Sequence, residues 1–129
     1  MHQVINSLFA ARDAAHKLHL GTKSFAKHIA LGELYKGLEE SYDEIAEVWM
    51  GANGQSSLPP GSDAEFLIID GQPNTCPVVF INFLSGWASG VRAGLVENGM
   101  DKTHPMIINL WDELLSLIYR TKYKLENLA

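Results

Sequence analysis

The sequence predicts an all-α fold: a four-helix bundle with one long crossover between its second and third helices. Three observations over the 129 residues carry it. Apolar residues return every three or four positions in four separate stretches, the signature of one face of an α-helix. Turn-forming residues punctuate the boundaries between those stretches. And the interval from Gln55 to Asn74 is far longer than the roughly 2–8 residues that join neighbouring helices. The expected helices run near 3–20, 23–50, 76–98 and 105–126, with 52–74 largely irregular and the whole chain, 1–129, a single domain.

The first helix places Ile5, Leu8, Phe9, Ala15 and Leu20 at helical spacing, with Gly21 as a stop. At about 100° per residue, Arg12, His16 and His19 fall on the same stripe, so a helix presenting them inward must supply polar partners. Ser24 reads as the N-cap of a second helix that ends at Gly51-Ala52-Asn53-Gly54. Its apolar face is Leu31, Leu34, Leu38, Tyr42, Ile45 and Trp49. At 1.5 Å per residue it is roughly 40 Å long. The stretch QSSLPPGSDAEFLIIDGQPN that follows is a connection, with two adjacent prolines and a short apolar patch from Phe66 to Ile69. At up to ~3.3 Å per residue it can run the length of the bundle, so the second and third helices are expected to be parallel.

The third helix starts near Pro77, with Asn74 or Thr75 as its cap, and ends at Asn98-Gly99. It holds Gly86, Gly90 and Gly94 four residues apart, amid Ser85, Ala88, Ser89 and Ala93. Glycine inside a helix costs about 1 kcal/mol relative to alanine. Close core packing against another backbone is the expected reason for the row, with a subunit contact as the alternative. The fourth helix opens at Thr103-His104-Pro105 and carries Ile107, Leu110, Leu114, Leu117, Ile118 and Leu125 on one stripe. Arg120, Lys122 and Lys124 complement its C-terminal dipole.

Composition excludes some functions. A net charge of -5 and a pI near 5.4 oppose an electrostatic grip on DNA or on anionic lipid. The opening MHQVINSLFAARD has no charged-then-apolar pattern, so no signal peptide is expected. The apolar run Pro77 to Val91 is short and interrupted by Gly, Ser and Asn, so no membrane span is expected. Cys76 is the single cysteine, and a reduced, cytoplasmic setting follows from it.

Three of the five histidines, His16, His19 and His28, fall within thirteen positions. Such clustering fits a metal site, and it also fits core-edge histidines hydrogen-bonded to Asp13, Tyr35 or the backbone. On the second helix Asp43 and Glu47 are four residues apart, a spacing that lets two carboxylates share a cation. They lie roughly 22–28 Å from His28 along one helix, so a single chain cannot unite them. Two copies of this helix crossing antiparallel about a two-fold axis can, giving two equivalent sites per dimer. The crossing point would be at Lys36 or Gly37, with Gly32 a turn earlier. Asp13-x-x-His16 and Asp101-x-x-His104 imitate the carboxylate-x-x-His of larger di-iron bundles, though Asp101 precedes a helix start and reads better as a cap.

Four helices paired as two hairpins around one long crossover have the connectivity of ferritin-like bundles, and the residues resemble one branch of them. Mini-ferritins of the Dps type have a His, a second His twelve residues on, an Asp four later, then Asp-x-x-Ala-Glu. This chain has His16, His28 and Asp43-Glu44-Ile45-Ala46-Glu47 in that spacing, with Gly32 where the intermediate Asp would be. His19, inside Leu18-His19-Leu20, resembles the first motif if three residues are deleted after it, so His16 and His19 both stand as candidates. The segment Leu18 to Glu47 looks like Dps helices A and B. More closely, the chain resembles an uncharacterised family of small Dps-like phage proteins, through HLGTKSFAKHIALGELY and NLWDELLSLIYRTKYKL (Asn109 to Leu125).

The resemblance implies a homo-oligomer joined through helix two, with iron, or another divalent ion such as Zn or Mn, held between subunits by His16 or His19, His28, Asp43 and Glu47. It implies ferroxidase activity and iron storage if the site is active, since Fe(II) oxidation needs imidazole and carboxylate ligands with open positions for oxygen. The lysine-rich tail that many Dps proteins use on DNA is absent, so no DNA binding is expected. The alternative is a non-catalytic helical-bundle phage protein, structural or host-interacting, that has lost the metal site; Gly32 favours it.

Overall fold

The computed structural model describes residues 1–55 and 76–127. Every regular element among them is helical. Four long helices, α1 (His2–Gly21), α2 (Phe25–Asn53), α3 (Pro77–Glu97) and α5 (Pro105–Asn127), are accompanied by a single turn, α4 (Met100–Thr103). The expected connection from Gln55 to Asn74 lies, beyond Gln55, outside the described residues, as do the cap candidates Asn74 and Thr75.

The helix ends follow from local chemistry. Ser24 caps α2 as its hydroxyl accepts from Lys27 N–H at 3.3 Å. Gly54 closes α2 at φ 66°, a left-handed conformation that a side chain would resist. Gly99, at φ 83°, turns the chain from α3 into α4. Pro105 then sits at the first position of α5, where its missing N–H costs nothing.

Side-chain pairs between helices give the directions. Lys124 of α5 meets Glu33 of α2 at 2.8 Å, and His104 meets Trp49, so α2 and α5 are antiparallel. Ser89 of α3 bonds Tyr119 at 2.8 Å, and Arg92 bonds Asp112, so α3 and α5 are antiparallel too. Helices α2 and α3 are therefore parallel, as the length of the connection implied. Helix α1 pairs back on α2 and touches α3 only lightly.

The core is drawn from all four long helices: Ile5, Leu8, Ala11 and Ala15; Leu31, Leu34, Leu38 and Ile45; Phe80, Ile81, Leu84 and Ala88; Trp111, Leu114, Ile118 and Leu125. Trp111 is fully buried and donates its indole N–H to the carbonyl of Ala88 at 2.9 Å. Arg92 grips Asp112 with Nε and Nη2 at 2.5 and 3.3 Å, and that hydrogen-bonded carboxylate raises the guanidinium's pKa. At Gly37 a β-carbon would overlap the Leu117 side chain, so this glycine admits α5.

Two readings are corrected by the packing. Leu20, placed on the apolar stripe of α1, is 70% exposed. Among the described residues the glycine row of α3 serves no close core packing: an added β-carbon at Gly86, Gly90 or Gly94 would meet none of their atoms within 4 Å. Helix α3 also continues past Val91 to Glu97 and is long and apolar enough, by length and composition alone, to cross a membrane. Its Phe80, Ile81, Leu84 and Ala88 nevertheless belong to the common core.

Candidate functional site

Helices α1 and α2 are joined by only three residues, Thr22 to Ser24, and this tight corner sets His19 beside His28. The two imidazoles clamp each other's backbone. His19 Nδ1 lies 2.6 Å from the carbonyl oxygen of His28, and His28 Nδ1 lies 2.8 Å from that of His19. A ring nitrogen facing a carbonyl must carry its proton, which in a neutral ring leaves Nε2 with the lone pair. The rings stack at 3.7 Å between centroids. Gly32, one turn along α2 from His28, makes the room: a β-carbon there would sit 3.0 Å from His19 Cε1.

The seam continues toward the middle of α2. His16 stacks on Tyr35 at 4.1 Å with the planes 5° apart, while His19 meets the same tyrosine at 5.2 Å. Arg12 lies 5.5 Å from the Tyr35 ring centre, bonding Asp13 at 3.1 Å and Glu39 at 3.2 Å. Its pKa is raised, first by the bond to Asp13 and then by Glu39 against a partial loss from burial. One helical turn further, Tyr42 packs on Phe9 at 4.1 Å, and burial pushes its phenol pKa up, helped by the charge of Glu39.

Helix α1 thus brings His19 to His28 and sets His16 on Tyr35, 6.1 Å from His19 between ring centres, and leaves Asp43 and Glu47 far from them on the exposed outer side of α2. Along that side Lys36, Glu40, Asp43, Glu44 and Glu47 stand at the surface. Among the described residues no three His, Cys, Asp or Glu side chains converge as a metal site. Stacked imidazoles explain part of this, because in-plane lone pairs on parallel rings run side by side and do not meet on one ion. The two carboxylate-x-x-His patterns do not form pairs either: Asp13 is engaged by Arg12, and His104 bonds the Thr103 hydroxyl at 2.9 Å. Sequence reasoning missed the stack on Tyr35 and the steric role of Gly32; the signal was Gly32 itself, four residues after His28 on one face.

Residues 19–125 match the model of DUF5856, a family of unknown function, and so span the histidine seam from His19 on, the acidic side of α2 and all of α3. The chain belongs to the DUF5856 family. This DUF5856 chain is also 24% identical, over 123 residues, to an uncharacterized 14.6 kDa protein in the mobD-ri intergenic region of Enterobacteria phage T4, covering 95% of this chain and 85% of that one. No solved structure matches it. The phage relative agrees with the phage character read from the sequence.

Proposed function

We propose that this chain is a ferritin-like four-helix bundle that pairs with itself through the outer side of α2 and holds a divalent ion, iron foremost, between subunits. The observation that carries this reading is the ordering of His28: its Nδ1 is held by the His19 carbonyl, the kind of bond that fixes the tautomer of a metal-binding histidine and leaves its Nε2 lone pair available. The parallel course of α2 and α3, each antiparallel to α5, supports the bundle. Charge supports the pairing. The N-terminal part of α2 and its approach carry Lys23, Lys27 and Lys36, with Glu33 paired to Lys124, while Glu40, Asp43, Glu44 and Glu47 stand along its other half. An antiparallel copy sets each basic half against an acidic one.

In such a pair His28 of one chain and Asp43 and Glu47 of the other supply one imidazole and two carboxylates, and His16 or His19 is the candidate for a second imidazole. The stack limits the His19–His28 pair to one ligand per ion. With Fe(II) as substrate and cargo, these residues would bind the ion and leave positions open to oxygen. The setting would be the cytoplasm of a host cell. Gly37, which meets Leu117 of its own chain, contributes nothing to the crossing.

Gly32 favours a second reading, a non-catalytic phage structural or host-interaction protein. The place of a ligating carboxylate is filled by the His19 ring, so the clamp serves the hairpin alone. Metal analysis and Fe(II) oxidation by the purified protein separate the two. The first reading expects bound metal that an Asp43→Ala/Glu47→Ala variant loses with its helicity intact; wild type without metal affinity leaves the second.

A further inference from the structure

Helix α3 is the most apolar of the long helices, yet only 28% of its apolar window is buried. Its outer stripe bears Val79 and Phe83, 47% and 40% exposed, then Gly86, Gly90 and Gly94, and finally the exposed Glu97. Large side chains occupy the N-terminal half of this stripe and hydrogens the other. Beside Gly94 opens an apolar recess of about 470 Å³ lined by Met1, Val4, Trp49, Val91 and Leu95. The ends are mismatched with their own helix. Glu97 sits at the negative C-terminal end, whereas the N-terminus has no acidic residue in its first turn, and its N-cap residue, Cys76, makes no side-chain cap bond.

We propose that α3 is an interface with a second copy of this chain, packed antiparallel about a two-fold axis between Gly86 and Trp87. That register sets Phe83 against the partner's Gly90 and Val79 against the partner's Gly94, at the rim of the recess. Glu97 then lies at the first turn of the partner's α3, where the positive dipole end favours a carboxylate. Every contact occurs twice, as an isologous interface requires. The row of glycines acquires a reason: hydrogens in place of side chains let two helices approach. Arg92, the other charge on α3, is turned to Asp112 and stays out of the contact.

Size sets the expected strength. A 21-residue helix offers a strip roughly 31 Å long. Even flanked by the exposed Tyr119 and Tyr123 of α5, two such strips make a small interface, at the low end of the sizes at which specific association begins. An interface of this size is expected to be weak, so the association is concentration-dependent.

This interface is independent of the pairing through α2, and one experiment distinguishes them. Sedimentation of the full chain at micromolar concentration is compared for wild type, Gly90→Leu, Lys36→Glu and the double variant. A β-carbon at 90 meets no atom of the described residues within 4 Å, and leucine raises helix propensity, so circular dichroism should show an intact fold. Gly90→Leu should remove the α3 contact and leave any α2 dimer; Lys36→Glu should act on the α2 contact alone. In a Cys76→Ser background and with a mild oxidant such as oxidised glutathione to take up the two electrons, Gly86→Cys should form a disulfide-linked dimer at least tenfold faster than Glu113→Cys. A Gly90→Leu chain that sediments like wild type overturns the proposal, as does Gly86→Cys linking no faster than the control. Unchanged sedimentation of Lys36→Glu counts against the α2 pairing only.

Discussion

A β-carbon at residue 32 would lie 3.0 Å from His19 Cε1 and 3.1 Å from its Nδ1. That ring cannot retreat easily, because it is bonded to the His28 carbonyl at 2.6 Å and stacked on the His28 ring. Two effects therefore oppose each other in Gly32→Ala. Helix propensity favours alanine by about 1 kcal/mol, while overpacking against a fixed group costs roughly 1–3 kcal/mol. The variant should be less stable than wild type by about 1 kcal/mol in urea unfolding. In a His19→Ala background the obstruction is gone, and the same substitution should stabilise by about 1 kcal/mol. A destabilising effect of equal size in both backgrounds would show that the glycine answers to something other than the histidine.

At the scale of helices, legibility depended on where the determining group lies in the chain. Ser24, Gly54, Gly99 and Pro105 act within a few residues of themselves, so all four long helices end close to their sequence-derived limits. The parallel course of α2 and α3 was legible because only a long connection permits it. Turn α4 was not, since four residues carry no periodicity. That the clustered histidines bond the backbone was one of the readings their spacing offered; which carbonyls His19 and His28 take was hidden, because a backbone carbonyl has no sequence signature. The same holds between α3 and α5, where Trp111 takes the Ala88 carbonyl at 2.9 Å and meets Trp87 edge-on at 5.9 Å. Trp111→Phe keeps an aromatic ring there and removes the N–H. It should cost about 1–2 kcal/mol, one net hydrogen bond plus imperfect filling, with loss of near-ultraviolet dichroism from the tryptophan pair. An unaltered urea midpoint would mean that this bond adds nothing to the packing of α3 on α5.

For the molecule as a whole, the arrangement of charge matters more than its sum. The net charge is -5, and four of the acids, Glu40, Asp43, Glu44 and Glu47, stand along the outer side of α2. Several cations are occupied elsewhere: Arg12 with Asp13 and Glu39, Arg92 with Asp112, and Lys124 with Glu33. The apolar side of α3 offers phosphate nothing. Duplex DNA binds proteins chiefly by exchanging condensed counterions for lysine and arginine, so affinity follows the number of phosphates engaged and falls steeply as salt rises. Pairing through α2 would consume Lys36 as well, so assembly leaves the surface no more basic than the single chain. The purified protein should accordingly give no gel shift with duplex DNA at micromolar concentration and about 150 mM salt, nor should saturation with Fe(II) create one. A clear shift that weakens with added salt would place a basic surface on the assembly that neither α2 nor α3 supplies.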